Sequence, residues 1–253
     1  MKKPLFIHLS SYENTDLIVN WILKKQFQST YTLLDSENSN RLTSSADLTH
    51  FLDQHPDLCA VSCAGIHLPF RQFSSEDSTT LPITALFFKN PLDRLFGIYE
   101  VDRRNLIGKQ LSLHDYVESE VNSEAKKFED AQANFIDQGD EADINALNVC
   151  GIMHLFNESI VVLEAELSRF FPHIDLSFYP PRYTSNKLIS LTERLDFLHK
   201  EIGTDLFAFL VKNNQRDFEL IKLAETRLLQ QLHALPDWQA RLQNLESRCQ
   251  ALR

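Results

Sequence analysis

The feature that most limits this chain is a series of short apolar runs, each closed by a polar turn and followed by a helical pattern. "PLFIHL" (4–9), "TYTLLD" (30–35), "LCAVSC" (58–63), "ITALFFK" (83–89) and "NVCGIM" (148–153) carry apolar residues at consecutive rather than alternate positions. A strand wetted on one face alternates, whereas a run apolar throughout suits a strand covered on both faces, as in a parallel sheet. Helical patterns fill the gaps at 16–27, 45–54, 91–103, 111–137 and 156–170. The second opens with "SADLTHFL", in which a serine precedes periodic apolar positions. The third opens on Pro91, suited to a first helical turn where an N–H would have no partner. Strands alternating with helices predict right-handed βαβ units: an α/β fold with a parallel sheet flanked by helices.

The C-terminal third differs. From about 190 to 252 the pattern is almost wholly helical, with "LTERLDFLHKEI", "DFELIKLAETRLLQQL" and "DWQARLQNLESRCQAL" as segments and Pro236 separating the last two. The last is charged and amphipathic, and we expect it to pack on the rest of the chain. "LFAFLV" (206–211) reads as a buried helix face, and "QFSSEDSTT" (72–80) as a polar loop. The expectation is one domain over 1–253, with 190–253 its helical part; 253 residues with 43% hydrophobic content suffice for one substantial core.

Charge and cysteine content narrow the function. A formal net charge of −10 repels polyanions at long range, so nucleic acid is not the expected partner. Cys59 and Cys63 form a CxxxC pair without a second pair to complete a zinc site, and with Cys150 and Cys249 they read as small apolar side chains. No metal is expected. The apolar run of "MKKPLFIHLSSY" is too short for a signal-peptide core, and no run approaches the ~18 apolar residues of a membrane span. A cytoplasmic location fits.

Ligands of open α/β sheets sit beyond the carboxyl ends of the strands. Three loops lie there: "SSYENT" after the first strand, "AGIHLPF" (64–70) after the third and "KNPLDRLFGIY" (89–99) after the fourth. With these loops the chain resembles the Golgi-type carbohydrate O-sulfotransferases and their bacterial relatives, from about Leu5 to Leu232. That family's first loop runs I-F-I-H-x-P-K-T-G-G-T-S/T-L; here "LFIHLSSYENTDL" keeps Leu5 to His8, Thr15 and Leu17, while Ser11 replaces the lysine and Glu13 and Asn14 the paired glycines. Its fourth-strand motif, F-L-R-D-P-V-E-R-x-x-S-x-Y, is matched at Pro91, Arg94 and Tyr99, with Lys89 for arginine, Asp93 for glutamate and Gly97 for serine. "GIHLPF" resembles G-H-x-P-F and keeps His67, Pro69 and Phe70.

The resemblance implies a P-loop-like fold, 3′-phosphoadenosine-5′-phosphosulfate as co-substrate, and transfer of its sulfuryl group to a hydroxyl of a carbohydrate or small molecule. It places His67 as the base, an imidazole being suited to proton abstraction near neutrality. Ser11, Tyr12, Asn14 and Thr15 would line the 5′-phosphosulfate, Lys89 and Arg94 the 3′-phosphate, and Arg182 in "YPPRYTSNK", with Lys187, would close over a phosphate. Plainer roles stand beside these: His67 capping a loop, Arg94 paired with an acidic residue, Lys89 ending a strand in solvent, Arg182 solvating a proline-rich loop. His8 reads as a buried, hydrogen-bonded residue, and His154 lies at a strand end near the cleft.

Loss of the loop lysine removes a donor whose removal typically costs on the order of 10²–10³ in rate. Glu13 and Asp16 oppose an anion there. Two readings follow: an enzyme using a weakened loop, or a catalytically inactive binding protein on the same fold with an eroded nucleotide site. A small kinase is the weaker third reading, because it needs a lysine-bearing glycine loop.

Overall fold

A computed structural model describes residues 3–10, 22–35, 45–64, 80–105, 111–123, 128–136, 141–178 and 190–252. Five strands form one sheet: β1 (Lys3–Ser10), β2 (Tyr31–Asp35), β3 (Ala60–Ala64), β4 (Thr80–Phe88) and β5 (Val149–Ile152). Their order is β2-β3-β1-β4-β5, and every pairing is parallel. The fold is α/β with a parallel sheet flanked by helices, as the apolar runs predict. Leu5, Phe6, Ile7 and His8 are all at most 1% exposed. Since successive side chains point to opposite faces, both faces of the central strand are covered.

β4 starts earlier than expected and runs through Pro82. β1 flanks it from Thr80 to Leu86, but β5 joins only at Ala85. Among the described residues one flank of β4 therefore has no strand at Pro82, and a residue without an N–H is tolerated there.

The helices in chain order are α1 (Lys24–Phe27), α2 (Ser45–Gln54), α3 (Pro91–Asn105), α4 (Leu113–Val121), α5 (Ala131–Phe135), α6 (Glu141–Ala146), α7 (Phe156–Ser168), α8 (Leu191–Ile202), α9 (Thr204–Asn213), α10 (Gln215–His233) and α11 (Trp238–Ala251). Of the helix expected over 16–27, residues 16–21 lie outside the described part; of the loop at 72–80, all but Thr80 do. The pattern over 111–137 resolves into α4 and α5 rather than one helix. α5 follows Asp130, whose φ of 44° is left-handed. A buried carboxylate from α10 then takes over capping: Asp217 accepts from the N–H groups of Gln132 (3.3 Å) and Ala133 (2.7 Å).

One apolar cluster surrounds the sheet and includes α7, α10 and α11, with Leu245 and Cys249 of the last helix packed inward. α11 is also tied by charge: Arg248 bonds Glu164 of α7 and Asp175. A second cluster joins α3, α4, α8 and α9 through Leu95, Phe96, Tyr116, Leu198 and Leu210. α9 departs from expectation. Only Leu210 of "LFAFLV" is fully buried, while Phe209 is 42% exposed, because one side of the helix faces water. α8 begins with a capping box, Ser190 accepting from the Glu193 N–H and Glu193 from the Ser190 N–H. No helix among the described residues is long and apolar enough to cross a membrane.

Two positions inside the sheet core are sharply constrained. A methyl group at Gly151 would lie 2.4 Å from the Phe87 ring, which is itself 2% exposed and packed near Phe156. Gly151→Ala should cost about 1–3 kcal/mol by overpacking, seen as a lower urea midpoint at unchanged slope. His8 is fully buried; its Nδ1 lies 3.1 Å from Ser62 Oγ, and Nε2 has no partner among the described residues. Burial holds its pKa down at about 3, against 6.5 when exposed. The unfolded chain thus binds the proton first as pH falls. The His8 contribution is complete above pH 6.5 and is lost on acidification toward about 3. Unfolding measured between pH 6.5 and 4 should show a wild-type stability loss steeper than that of His8→Gln by up to about 1.4 kcal/mol per pH unit.

Candidate functional site at the carboxyl end of the sheet

The strand order places β1 between β3 and β4, with Ser10 level with Ala64 and Leu9 with Leu86. The three loops singled out in the sequence therefore leave neighbouring strands at one end of the sheet. The chain runs from β1 toward the β2 edge and from β4 toward the β5 edge. Neighbouring strands whose connections diverge are where such sheets open a ligand crevice. Ser11, Tyr12, Asn14 and Thr15 of the first loop, His67 of the second and Arg182 all lie outside the described residues. Lys89 and Arg94 are described, with the segment that carries them.

"KNPLDRLFGIY" builds that segment by simple rules. Asn90 Oδ1 accepts from the N–H groups of Leu92 (3.0 Å) and Asp93 (3.3 Å), which start α3, and Pro91 needs no partner in the first turn. Leu92, Leu95 and Phe96 turn into the second apolar cluster, and the Tyr99 ring packs at 5.3 Å from that of Tyr116. Tyr99 donates to the Leu111 carbonyl, so this motif tyrosine has a structural role. Residues 89, 93 and 97 recur at four-residue spacing: Asp93 and Gly97 share one face of α3, and Lys89 stands just before the helix begins.

On that face Lys89 projects over Gly97. A Cβ at Gly97 would sit 2.9 Å from Lys89 Nζ, so a side chain there would push the end of the lysine aside. Where the resemblance expects arginine and serine, a shorter cation thus lies in the room left by a missing side chain. Asp93 is 5% exposed and meets Arg194 of α8 through two parallel hydrogen bonds, Nε to Oδ1 at 2.6 Å and Nη2 to Oδ2 at 3.1 Å. Lys89 Nζ lies 3.7 Å from the same carboxylate, an ion pair beyond hydrogen-bond length. Lys89 is not a fully solvated strand end; its side chain is 20% exposed.

Beneath it, Gln132 closes a double hydrogen bond with the Lys89 backbone, accepting from its N–H at 2.8 Å and donating to its carbonyl at 2.7 Å. Gln132 also donates to Asp217, whose charge faces Arg94. Arg94 is 5% exposed, and its charge acts on the Asp217 carboxylate. Asp217 is fully buried. Burial pushes its pKa up, and the hydrogen bonds from Ala133 and Gln132, with Arg94, offset part of that.

Nothing in the sequence pattern singles out Arg194 or Gln132. The "SLTE" capping signature announces the start of α8, but nothing local says that its fourth residue meets Asp93. His154, expected near the cleft, has its Nε2 3.5 Å from Glu225 on α10. Cys63 and Cys150 are buried, and that burial pushes both thiols up to about 12, far from the thiolate form that binds metal. Among the described residues one group with metal-ligand spacing occurs, His114, Asp115 and Glu118 on α4, and all three are exposed.

No family model matches the chain. An uncharacterised protein of Archaeoglobus fulgidus is 19% identical over 242 residues, spanning 87% of this chain and 95% of that protein. The crystal structure of a sulfotransferase from Alicyclobacillus acidocaldarius is similar over 88% of this chain and 97% of its own, with a TM-score of 0.40 and 14% identity. At such identities the site has to be argued from its own residues.

Proposed function

We propose that the chain is one sulfotransferase-type domain over 1–253 that binds 3′-phosphoadenosine-5′-phosphosulfate across the ends of β3, β1 and β4. It transfers the sulfuryl group to a hydroxyl of a carbohydrate or small molecule. The observation that carries this reading is the strand order, which brings the three motif-bearing loops to adjacent places at one end of the sheet.

The described half of the site suits a phosphate. Lys89 supplies a compact point charge, and Asp93 beside it is already matched by Arg194. Arg94, buried against Asp217, supports the strand end and adds to the local positive field. In this reading Ser11, Tyr12, Asn14 and Thr15 hold the 5′ end by hydrogen bonds, with Arg182 closing over a phosphate. The co-substrate supplies the sulfuryl group. His67 removes the acceptor hydroxyl proton as the acceptor oxygen bonds to sulfur, and the bond between sulfur and the 5′-phosphate oxygen breaks, leaving the 3′,5′-bisphosphate.

Calorimetric titration with 3′-phosphoadenosine-5′-phosphate should give a dissociation constant of about 1–100 μM. His67→Ala should leave that value unchanged and lower turnover by about 10²–10⁴-fold. Absence of both heat and thermal stabilisation would sink the reading and leave the inactive binding protein in its place.

A further inference from the structure

We infer that Arg194 is a positioning residue for the phosphate site: by neutralising Asp93 it keeps that carboxylate from capturing the Lys89 ammonium. This rests on the reading of Lys89 as a phosphate ligand. The geometry divides Asp93 unequally between two cations. Arg194 holds both oxygens in a planar fork, whereas Lys89 stands 3.7 Å from Oδ2. Asp93 is almost fully buried, so its ionised form demands a close partner. Among the described residues, the cation left beside that carboxylate without Arg194 is Lys89, four residues back in the chain. A small torsion of its flexible chain would bring Nζ into hydrogen-bond range. The ammonium would then be drawn down against Asp93 and away from an incoming anion.

The arrangement also explains why a residue 101 positions away belongs to the site. α8 packs against α3 through rings such as Phe197 on Phe96, 5.7 Å apart, and the Ser190 capping box sets where the helix begins. Together these bring the fourth residue of α8 over Asp93. Docking of the helical C-terminal part thereby adjusts the charge seen at the end of β4.

The test compares wild type with Arg194→Gln, Arg194→Lys and the Asp93→Asn/Arg194→Gln double variant. Two readouts are taken at fixed pH: labelling of Lys89 by an amine-reactive reagent followed by mass spectrometry, and calorimetric titration with 3′-phosphoadenosine-5′-phosphate. Arg194→Gln should slow Lys89 labelling at least about threefold and weaken nucleotide binding about tenfold, since the remaining carboxylate is a buried, unmatched charge. Arg194→Lys, lacking the fork, should show a smaller change of the same sign. Removing Asp93 as well should restore both readouts to within about twofold of wild type, the coupling that a double-mutant cycle isolates.

Unchanged Lys89 labelling in Arg194→Gln overturns the inference. If that variant does not fold, unchanged labelling in Arg194→Lys does the same. Labelling needs no nucleotide. A wild type that binds none defeats the sulfotransferase reading alone, and the labelling comparison still decides the role of Arg194.

Discussion

A single buried carboxylate organises the carboxyl end of the sheet at β4. Asp217 is fully enclosed, and a charge in such a place is tolerated only when its oxygens are met by donors and a cation. Gln132 and Ala133 supply N–H groups, the Gln132 side chain supplies another, and Arg94 supplies the charge. The arrangement is reciprocal, for the Asp217 N–H is itself accepted by Asp130, so the starts of α5 and α10 cap one another. Gln132 then passes the constraint to the backbone of Lys89. The last residue of the fourth sequence run is thus pinned by an element that begins 126 positions later in the chain.

Under the proposed function, this network must help hold an anion on a chain with a net charge of −10. Long-range attraction does not help, so such a site would depend on local charge. Arg94 faces Asp217 and Arg194 faces Asp93, which lets two carboxylates sit close to the strand end without making it repulsive. Gly97 contributes by being small, leaving room in which Lys89 lies. The same logic shows why "KNPLDR" is informative beyond its match to a family motif. Asn90 caps the helix, Pro91 begins it and Leu92 packs inward, while Lys89, Asp93 and Arg94 divide the electrostatics among them.

The architecture was readable from the apolar runs because burial on both faces leaves a direct mark: no alternation. All five expected strands are present, and 45–54 and 91–103 match α2 and α3 closely. The division of 111–137 was not readable, because the N-terminus of α5 is capped from α10 and not from its own neighbours. "LFAFLV" misled for a related reason. Apolar composition implies burial only if a partner covers every side of the helix, and Phe209 lies on the uncovered side.

For the site, the chain's own pattern determined which strands end in chemistry-bearing loops, and that Lys89, Arg94 and Asp93 share a helix start. Those are short-range facts, set by the two-residue period of strands and the 3.6-residue period of helices. Only the tertiary structure decided that the three loops are neighbours, since strand order is a matter of crossover and not of local preference. It alone decided which charge meets which. Ion pairs form between groups within a few ångströms in space, and Arg194 reaches Asp93 across more than a hundred residues of chain.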